Sequence, residues 1–154
     1  MLRDDIERDL AGLFGRAWDS HGMQVLDLAP AQLLPLVTQL HADFGFDLLL
    51  DITAIDHPQR TPRFEVVLHL LASRHRTRIR LKTQVAEASP VLPTLTGLYG
   101  AARFLEREAH EMYGIVFDGN ADLRPILLYE GFVGHPLRKD YPMDREQPIV
   151  PYRT

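Results

Sequence analysis

Three consecutive segments of the chain alternate apolar and polar residues, and this period of two constrains the fold more than any other feature. The segments cover residues 47–55, 64–70 and 77–85. In the first segment, one face is predicted to carry Leu48, Leu50 and Ile52. In the third segment, one face is predicted to carry Ile79, Leu81, Thr83 and Val85, and the opposite face Arg78, Arg80, Lys82 and Gln84. Because strand side chains point alternately to the two faces of a sheet, we predict an antiparallel meander with one apolar face.

Apolar residues at three- and four-residue spacing predict helices before and after these strands. We predict helices over residues 2–18, 34–44 and 98–113, and a short strand over residues 23–28. A glycine directly follows each of the last two helices, where its backbone freedom suits a C-cap. The predicted fold is α+β, a two-layer sandwich of helices on a largely antiparallel or mixed sheet, because this arrangement buries both apolar surfaces.

Composition restricts the chemistry that the chain can perform. Its 154 residues are 45% hydrophobic, which is enough for the core of one domain. The absence of cysteine excludes thiolate-held iron–sulfur clusters, cysteine-ligated zinc, disulfides and a cysteine nucleophile. A net charge of −4 gives the whole molecule no attraction to nucleic acid or to anionic membranes. Without an apolar run long enough for a membrane span, we expect membrane contact only through other proteins.

Regular periodicity ends after residue 117, and five of the eleven prolines lie in the last 30 residues. Such a segment is too rich in proline, glycine and charge to build a core of its own. We therefore predict an α+β core domain over residues 1–117 and an extended partner-binding arm over residues 118–154. Because the arm should take its shape from a neighbour, removal of the Arg138 and Lys139 side chains is expected to leave the domain folded.

The densest group of titratable residues lies in the last predicted helix, over residues 106–111. Glu106 and His110 are four residues apart, as are Arg107 and Glu111, so each pair would be neighbours on the helix surface. Simple side-chain pairing on a solvated or partner-facing helix surface explains this cluster.

Two chemical alternatives for the same helix are weaker. A zinc-protease motif needs a second histidine four residues after His110, where Gly114 stands, and a di-iron motif needs glutamate at the position of Arg107. Acid–base catalysis by Glu108, His110 and Glu111 remains open, although no nucleophile or second motif supports it.

The basic strand gives another alternative, a nucleic-acid-binding surface made of Arg76, Arg78, Arg80 and Lys82. Sheets that bind RNA stack bases on aromatic side chains, and this strand has none, so an exposed or ion-paired face is favoured. The chain also has neither of the common glycine-rich phosphate-binding motifs, which argues against a nucleotide site. Its seven histidines form no pair with metal-ligand spacing.

Four short motifs in the last third of the chain carry a resemblance to a known family. They are Glu106-Arg107-Glu108, Met112-Tyr113-Gly114-Ile115-Val116-Phe117-Asp118-Gly119, Asp122-Leu123-Arg124 and Gly134-His135-Pro136-Leu137-Arg138-Lys139-Asp140-Tyr141-Pro142. In order and spacing the chain resembles the 30-kilodalton subunit family of respiratory complex I, known in bacteria as the C subunit of NADH:quinone oxidoreductase, over roughly residues 45–142. The chain departs from the family at two places in this region. It has Asn120-Ala121 where the family usually has His-Pro, and Pro125 where the family usually has a second arginine.

The resemblance implies a protein that holds no flavin, iron–sulfur cluster or quinone, with FMN and the clusters in partner subunits. It implies contacts with subunits B, D and I, chiefly with D as the quinone-site subunit, on the cytoplasmic side of the bacterial inner membrane. The partner-binding residues that it implies are Glu106, Arg107, Glu108, Asp122, Arg124, Gly134, His135, Pro136, Leu137, Arg138, Lys139, Asp140, Tyr141 and Pro142. The equivalent subunit of a membrane-bound energy-converting hydrogenase is the alternative within the same resemblance.

Overall fold

The computed structural model describes residues 2–147, so the last seven residues of the predicted arm lie outside the described part. In chain order the regular elements are α1 (Leu2–Asp9), β1 (Arg16–Ser20), β2 (Met23–Leu28), α2 (Leu33–Phe44), β3 (Leu48–Asp56), β4 (Phe64–Ala72), β5 (Thr77–Val85), β6 (Val91–Pro93), α3 (Ala102–Tyr113) and β7 (Val116–Asp118). Short 3-10 turns cover Ala11–Leu13 and Pro30–Gln32.

Five strands form one mixed sheet in the order β1-β2-β5-β4-β3. Strands β3, β4 and β5 pair antiparallel, which confirms the predicted meander. Strand β2 joins β5 in parallel, and β1 closes that edge antiparallel to β2. The α+β fold with a mixed sheet is therefore confirmed, and a parallel two-stranded sheet of β6 and β7 is added to it.

The core lies between the helices and one face of this sheet. Helix α2 buries its apolar stripe of Leu33, Leu36, Val37, Leu40 and Phe44. The sheet contributes residues at alternating positions, among them Phe64, Val66, Leu68, Leu70, Ile79 and Leu81. Burial on one side and exposure on the other follow from the period of two in the sequence.

The first predicted helix is wrong in its second half. Helix α1 ends at Asp9, and residues 16–20 form β1 instead of helix. His21 and Gly22, both with positive φ, make a two-residue turn into β2, and Asp19 accepts a hydrogen bond from the Gly22 amide at 3.0 Å. Two positive-φ residues give the tight hairpin turn that matches strand twist, so pairing with β2 outweighs the helical spacing of the apolar residues.

The predicted face of β3 also differs, because the register of β3 against β4 shifts between Leu49 and Asp51. Ile52 is buried, whereas Leu48 and Leu50 are exposed and Leu49 faces the core. A β-bulge inserts one residue and reverses the facing of the residues before it. Alternation in the sequence cannot reveal such an insertion.

The glycines predicted to end the helices do so. Gly45 after α2 and Gly114 after α3 have φ of 69° and 79°, the left-handed conformation that glycine adopts without strain. Helix α3 begins at Ala102, four residues later than predicted, because the chain before it makes turns. The helix lies against β3.

Candidate partner-binding site

Glu106 is fully buried on α3, so its predicted surface pairing with His110 is wrong. Its carboxylate accepts hydrogen bonds from the Thr94 hydroxyl and the Leu95 amide, each at 2.7 Å, and from the Asn120 side-chain amide at 2.8 Å. Burial raises the pKa of Glu106 above its ordinary value of 4.5, although these donors oppose the rise. Glu106 therefore joins the segments before α3 and after β7.

Arg107 contacts the chain that follows the core. Its Nε donates to the carbonyl oxygen of Arg124 at 2.8 Å, and its Nη2 donates to that of Pro125 at 2.7 Å. Asp122 and Arg124 pair with each other at 2.8 Å, and that pairing lowers the pKa of Asp122. Glu108 on the same helix is exposed, as is the side chain of Arg124. Arg107 thus ties the helix to the following segment, whereas Glu108 and Arg124 remain at the surface of the domain.

Glu111 is also buried, and it does not pair with Arg107 as predicted. Its two carboxylate oxygens accept hydrogen bonds from three consecutive backbone amides, those of Ile126, Leu127 and Leu128, at 3.0, 2.7 and 3.3 Å. A carboxylate that accepts several amide hydrogen bonds fixes the backbone of an otherwise irregular segment. The sequence motifs did not point to this role, and Glu111 was not in the predicted partner-binding set.

The catalytic alternative is not supported by this arrangement. Glu108 is exposed, whereas Glu111 is buried and occupied by backbone amides. The Nδ1 atom of His110 lies 2.8 Å from the carbonyl oxygen of Ile115, a position in which it donates. His110 and Glu111 therefore have separate structural contacts and Glu108 is exposed, and residues 2–147 include no group of three side chains that could hold a metal ion.

A buried arginine anchors the predicted arm on the core. Arg63, just before β4, pairs with Asp56 at the end of β3 through two hydrogen bonds of 2.7 and 2.9 Å. It also contacts Asp140 in the arm at 2.9 Å and Glu87 at 2.7 Å. Asp56 in turn accepts the backbone amide of Lys139 at 2.7 Å. One buried charge pair thus fixes the predicted motif around residues 138–140.

Arg138 and His135 add further contacts between the arm and α3. The Nε of Arg138 donates to the carbonyl oxygen of Tyr113 at 2.6 Å, and its guanidinium lies 4.9 Å from the centre of the Phe64 ring. The Nδ1 of His135 lies 2.9 Å from the carbonyl oxygen of Glu111. Arg138 therefore contacts α3 and β4, whereas the exposed side chain of Lys139 makes no ion pair in residues 2–147. That the domain stays folded without these two side chains remains a prediction.

The remaining predicted residues lie along the arm. Tyr141 stacks on Phe132 with ring centres 6.0 Å apart, and its ring packs against the backbone of Gly134, which has a φ of 103°. The Leu137 amide donates to the carbonyl oxygen of Met112, but its side chain is exposed. Pro136 is half-buried and Pro142 is exposed. Residues 118–147 thus make contacts with their own domain, and a role of a neighbour in ordering the arm stays a prediction.

The sequence missed the residues on the core that receive the arm. Asp56, Arg63 and Glu87 were not among the predicted site residues, although together they contact both Asp140 and the amide of Lys139. No local motif marks them, because they become neighbours only when β3, β4 and the segment after β5 meet at one end of the sheet.

The basic strand has contacts that fit the predicted ion-paired face better than a nucleic-acid surface. Lys82 pairs with Glu65 at 2.8 Å, and Arg80 donates to His69 at 2.9 Å. Within residues 2–147, no helix has the length and apolar character needed to cross a bilayer.

Comparison with known proteins identifies the family. A model of the family described as "Respiratory-chain NADH dehydrogenase, 30 Kd subunit" matches residues 26–147. The chain belongs to this family. The match covers all four motifs that carry the resemblance and extends the predicted range of residues 45–142 at both ends.

Relatives in this family come from bacteria and from a mitochondrion. The NADH-quinone oxidoreductase C subunit of Agrobacterium fabrum is 48% identical over 126 residues, which is 80% of this chain and 62% of the relative. The C subunit of Phenylobacterium zucineum is 52% identical over 70% of this chain and 51% of its own length. A probable mitochondrial NADH-ubiquinone oxidoreductase 30.4 kDa subunit of Candida maltosa is 47% identical over 75% of this chain and 42% of its own length. The chain thus spans about half the length of these relatives.

Solved structures share the fold of this family member. A trypsin-resistant fragment of Nqo5, residues 1–134, matches with a TM-score of 0.72 and 31% identity over 80% of this chain and the whole fragment. A chain of the membrane-bound sulfane sulfur reductase, an archaeal respiratory membrane complex, gives a TM-score of 0.80 at 22% identity, covering 92% of this chain and 84% of that chain. The second likeness concerns the fold alone.

Gly114 is a site where this family member should tolerate no side chain. A Cβ there would lie 2.5 Å from a guanidinium nitrogen of Arg138 and 2.7 Å from the Nε2 of His135, at a φ of 79°. We expect Gly114→Ala to lower the free energy of unfolding by about 1–3 kcal/mol, because it adds left-handed strain to a steric clash. Urea unfolding of the full chain measures the loss. Gly12→Ala, whose Cβ meets nothing within 4 Å, is the control and should change stability little.

The Asp56 and Arg63 pair should make the free energy of unfolding depend on pH in the acidic range. Hydrogen bonds from Arg63 and then from the Lys139 amide hold the pKa of Asp56 below its ordinary value of 3.8. This contribution to stability is complete above pH 3.8 and is lost as the pH falls through the lower folded value. We expect the stability difference between the native chain and an Asp56→Asn, Arg63→Gln variant to be smaller at about pH 3 than at about pH 7. Equal differences at both pH values, measured by urea unfolding, would contradict this account.

Proposed function

We propose that the chain is a non-redox scaffold subunit in the peripheral arm of a proton-translocating NADH:quinone oxidoreductase. That enzyme transfers electrons from NADH via FMN and iron–sulfur clusters to quinone. Family membership supports this assignment, and the absence of cysteine supports a chain without clusters. We assign FMN and the clusters to partner subunits, no catalytic step to this chain, and a peripheral place on the cytoplasmic side of the bacterial inner membrane.

The observation that carries the scaffold role is the exposed apolar surface of the anchored arm. Among residues 126–143, the apolar side chains of Ile126, Leu127, Val133, Leu137 and Met143 are exposed, with Leu127 at 63%. Glu111 fixes the backbone at Leu127, and the Arg63 network fixes the backbone beside Leu137. Exposed apolar residues on a fixed backbone favour docking of a partner, because little order is lost on binding. We propose subunits B, D and I as partners, chiefly D as the quinone-site subunit.

The test is recovery of the complex through this chain. The full chain with an affinity tag is expressed in its native cells, and the proteins that co-purify from detergent-solubilised membranes are identified by mass spectrometry. Recovery of subunits B, D and I of one NADH:quinone oxidoreductase is expected. Recovery of the chain alone, in cells that assemble an active complex, would refute the scaffold role.

One side chain tests the docking surface directly. We expect Leu127→Gln to reduce recovery of the neighbouring subunits by about tenfold, which corresponds to roughly 1.4 kcal/mol lost from one apolar contact. Because Leu127 is mostly exposed in the isolated chain, the stability of that chain should stay unchanged. The measurement is quantitative mass spectrometry of the co-purified subunits, combined with urea unfolding of the isolated variant.

Val91→Gln is the matched control for this prediction. Val91 is also an exposed apolar residue, at 42%, but it lies on β6, outside the arm. Unchanged recovery with Val91→Gln and reduced recovery with Leu127→Gln would place the contact on the arm. Equal recovery with both variants would remove Leu127 from the interface.

A second candidate is the equivalent subunit of a membrane-bound energy-converting hydrogenase. We keep this candidate because the same fold occurs in a chain of the membrane-bound sulfane sulfur reductase, an archaeal respiratory membrane complex with another reaction. The purification described above distinguishes the two. A co-purifying large subunit with nickel-ligating cysteines would identify a hydrogenase, and a quinone-site subunit without them would identify the NADH:quinone oxidoreductase.

A further inference from the structure

Along β5, the basic residues far from the hairpin with β4 have side-chain partners, whereas the one nearest the hairpin has none in residues 2–147. Lys82 pairs with Glu65 at 2.8 Å, and Arg80 donates a hydrogen bond to the imidazole of His69. Arg78 lies opposite Leu71 in the sheet and makes no ion pair with any residue from 2 to 147. Lys82 is therefore the last cation of β5 before the hairpin that has a carboxylate partner within residues 2–147.

Two more arginines continue this series into the turn. Arg74 and Arg76 are exposed and, like Arg78, form no ion pair in the part of the chain that the structure describes. We call Arg74, Arg76 and Arg78 the hairpin cations. In a chain with a net charge of −4, three neighbouring arginines without a carboxylate partner are a local reversal of sign.

The pKa of His69 responds to the charges on this face of the sheet. Burial lowers its pKa, and the charges of Arg80 and Arg78 lower it further, against an opposing effect of Asp51 that is smaller than that of Arg80. The guanidinium group of Arg78 thus acts on His69 across the strand pair, but its effect on the pKa of His69 is smaller than the opposing effect of Asp51.

The hairpin that carries these cations is held in one position. The Asp47 carboxylate accepts hydrogen bonds from the amide and the hydroxyl of Ser73, at 2.9 and 2.5 Å. A concavity of about 520 Å³ lies beside the turn, and Arg76 and Arg78 form part of its wall. Charges on a fixed, concave surface can engage a ligand with little loss of freedom.

Apolar residues lie directly beside the hairpin cations. Leu71 of β4 pairs with Arg78 of β5 and, on its other edge, with Leu48 of β3. The side chain of Leu48 is exposed. Arginine is enriched and lysine depleted at protein interfaces, and the hairpin cations are all arginine, beside an exposed apolar residue. A phosphate or nucleic-acid site has no need for these leucines.

This surface lies at the opposite end of the sheet from the anchored arm. Phe64 and Val85 pair at the end where Arg63 holds the arm, whereas Ala72 and Thr77 pair at the hairpin. Nine residues of strand separate the two ends, a span of roughly 27 Å. A partner bound to the arm would therefore leave the hairpin cations free for another chain.

We propose that the hairpin cations dock a carboxylate-bearing surface of a second neighbouring protein, so that the chain links two partners through opposite ends of its sheet. This inference rests on the proposed function, because it needs the chain to be part of a complex. Guanidinium and carboxylate groups pair through two parallel hydrogen bonds, and leucine contacts around them exclude water and strengthen the pair.

Zero-length cross-linking of the purified complex tests this proposal. An Arg78→Lys variant keeps the positive charge and supplies an amine that carbodiimide joins to a carboxylate in direct contact. Mass spectrometry should then find residue 78 linked to an aspartate or glutamate of another chain. Arg60→Lys is the matched control, because Arg60 is exposed in the connection between β3 and β4, and it should give several-fold less interchain product.

Native Lys82 and Glu65, 2.8 Å apart, provide an internal standard within the same sample. If the Lys82 to Glu65 link forms in a recovered complex and residue 78 gives no interchain link, the proposal is overturned. A lipid phosphate or a nucleic acid as occupant would give that same negative result. If the tagged chain recovers no partner at all, the proposed function fails instead, so the two failures are distinguishable.

Discussion

Replacing Arg63 by alanine is expected to lower the free energy of unfolding by about 3–5 kcal/mol, the range measured when one member of a buried ion pair is removed. The Asp56 side chain is only 1% exposed, so it would remain charged and buried with only the Lys139 amide as a donor. Asp140 would also lose its partner and Glu87 would keep only Arg138, at 3.9 Å, but both carboxylates are half-exposed and can be hydrated. A loss of this size is a large share of the stability of an ordinary domain.

Urea unfolding of the isolated chain measures this loss, and Arg60→Ala is its control. Arg60 is exposed in the same connection, so its removal should change the free energy of unfolding by less than about 0.5 kcal/mol. Adding Asp56→Asn to Arg63→Ala should restore part of the stability, because no uncompensated charge is then buried. If Arg63→Ala were no more destabilising than Arg60→Ala, the proposed anchor of the arm would be wrong.

Replacing Glu106 by alanine is expected to cost about 3 kcal/mol, because it leaves several buried donors without an acceptor. The Leu95 amide, the Thr94 hydroxyl and the Asn120 side-chain amide all donate to its carboxylate. Glu106→Gln should be intermediate, since its carbonyl oxygen keeps some of these bonds while its amide group meets donors. The measurement is again the change in unfolding free energy.

Glu108→Ala is the control for the Glu106 series. Glu108 lies two residues further along α3 with an exposed side chain, and both residues belong to the same sequence motif. It should change the stability of the isolated chain by less than about 0.5 kcal/mol. An equal loss with Glu106→Ala and Glu108→Ala would show that helix propensity, not the buried carboxylate, sets the cost.

Sequence periodicity predicted much of the fold, and the errors have physical causes. The meander of β3 to β5 and the helices that end before Gly45 and Gly114 were predicted, because each depends on local pattern and local backbone freedom. Residues 16–18 were predicted as the end of a helix, yet pairing with β2 made them part of a strand. The bulge in β3 was invisible because it depends on the partner strand.

The candidate site was predictable as a segment but not as a set of contacts. The motifs directed attention to residues 106–108 and 134–142, and the family match covers both. They gave no indication that Glu106 is buried or that Glu111 holds the backbone of residues 126–128. Burial of a charged residue is decided by donors that come from distant parts of the chain.

By itself, the sequence determined the fold class and the family, because helix and strand periods and local motifs are properties of neighbouring residues. It also excluded thiolate chemistry, since the chain has no cysteine. Only the tertiary structure decided where the arm lies and which charges remain without partners. Asp56, Arg63 and Asp140 are brought together from separate segments, whereas Arg78 is brought opposite Leu71. Such pairings depend on strand register and chain closure, which no local pattern records.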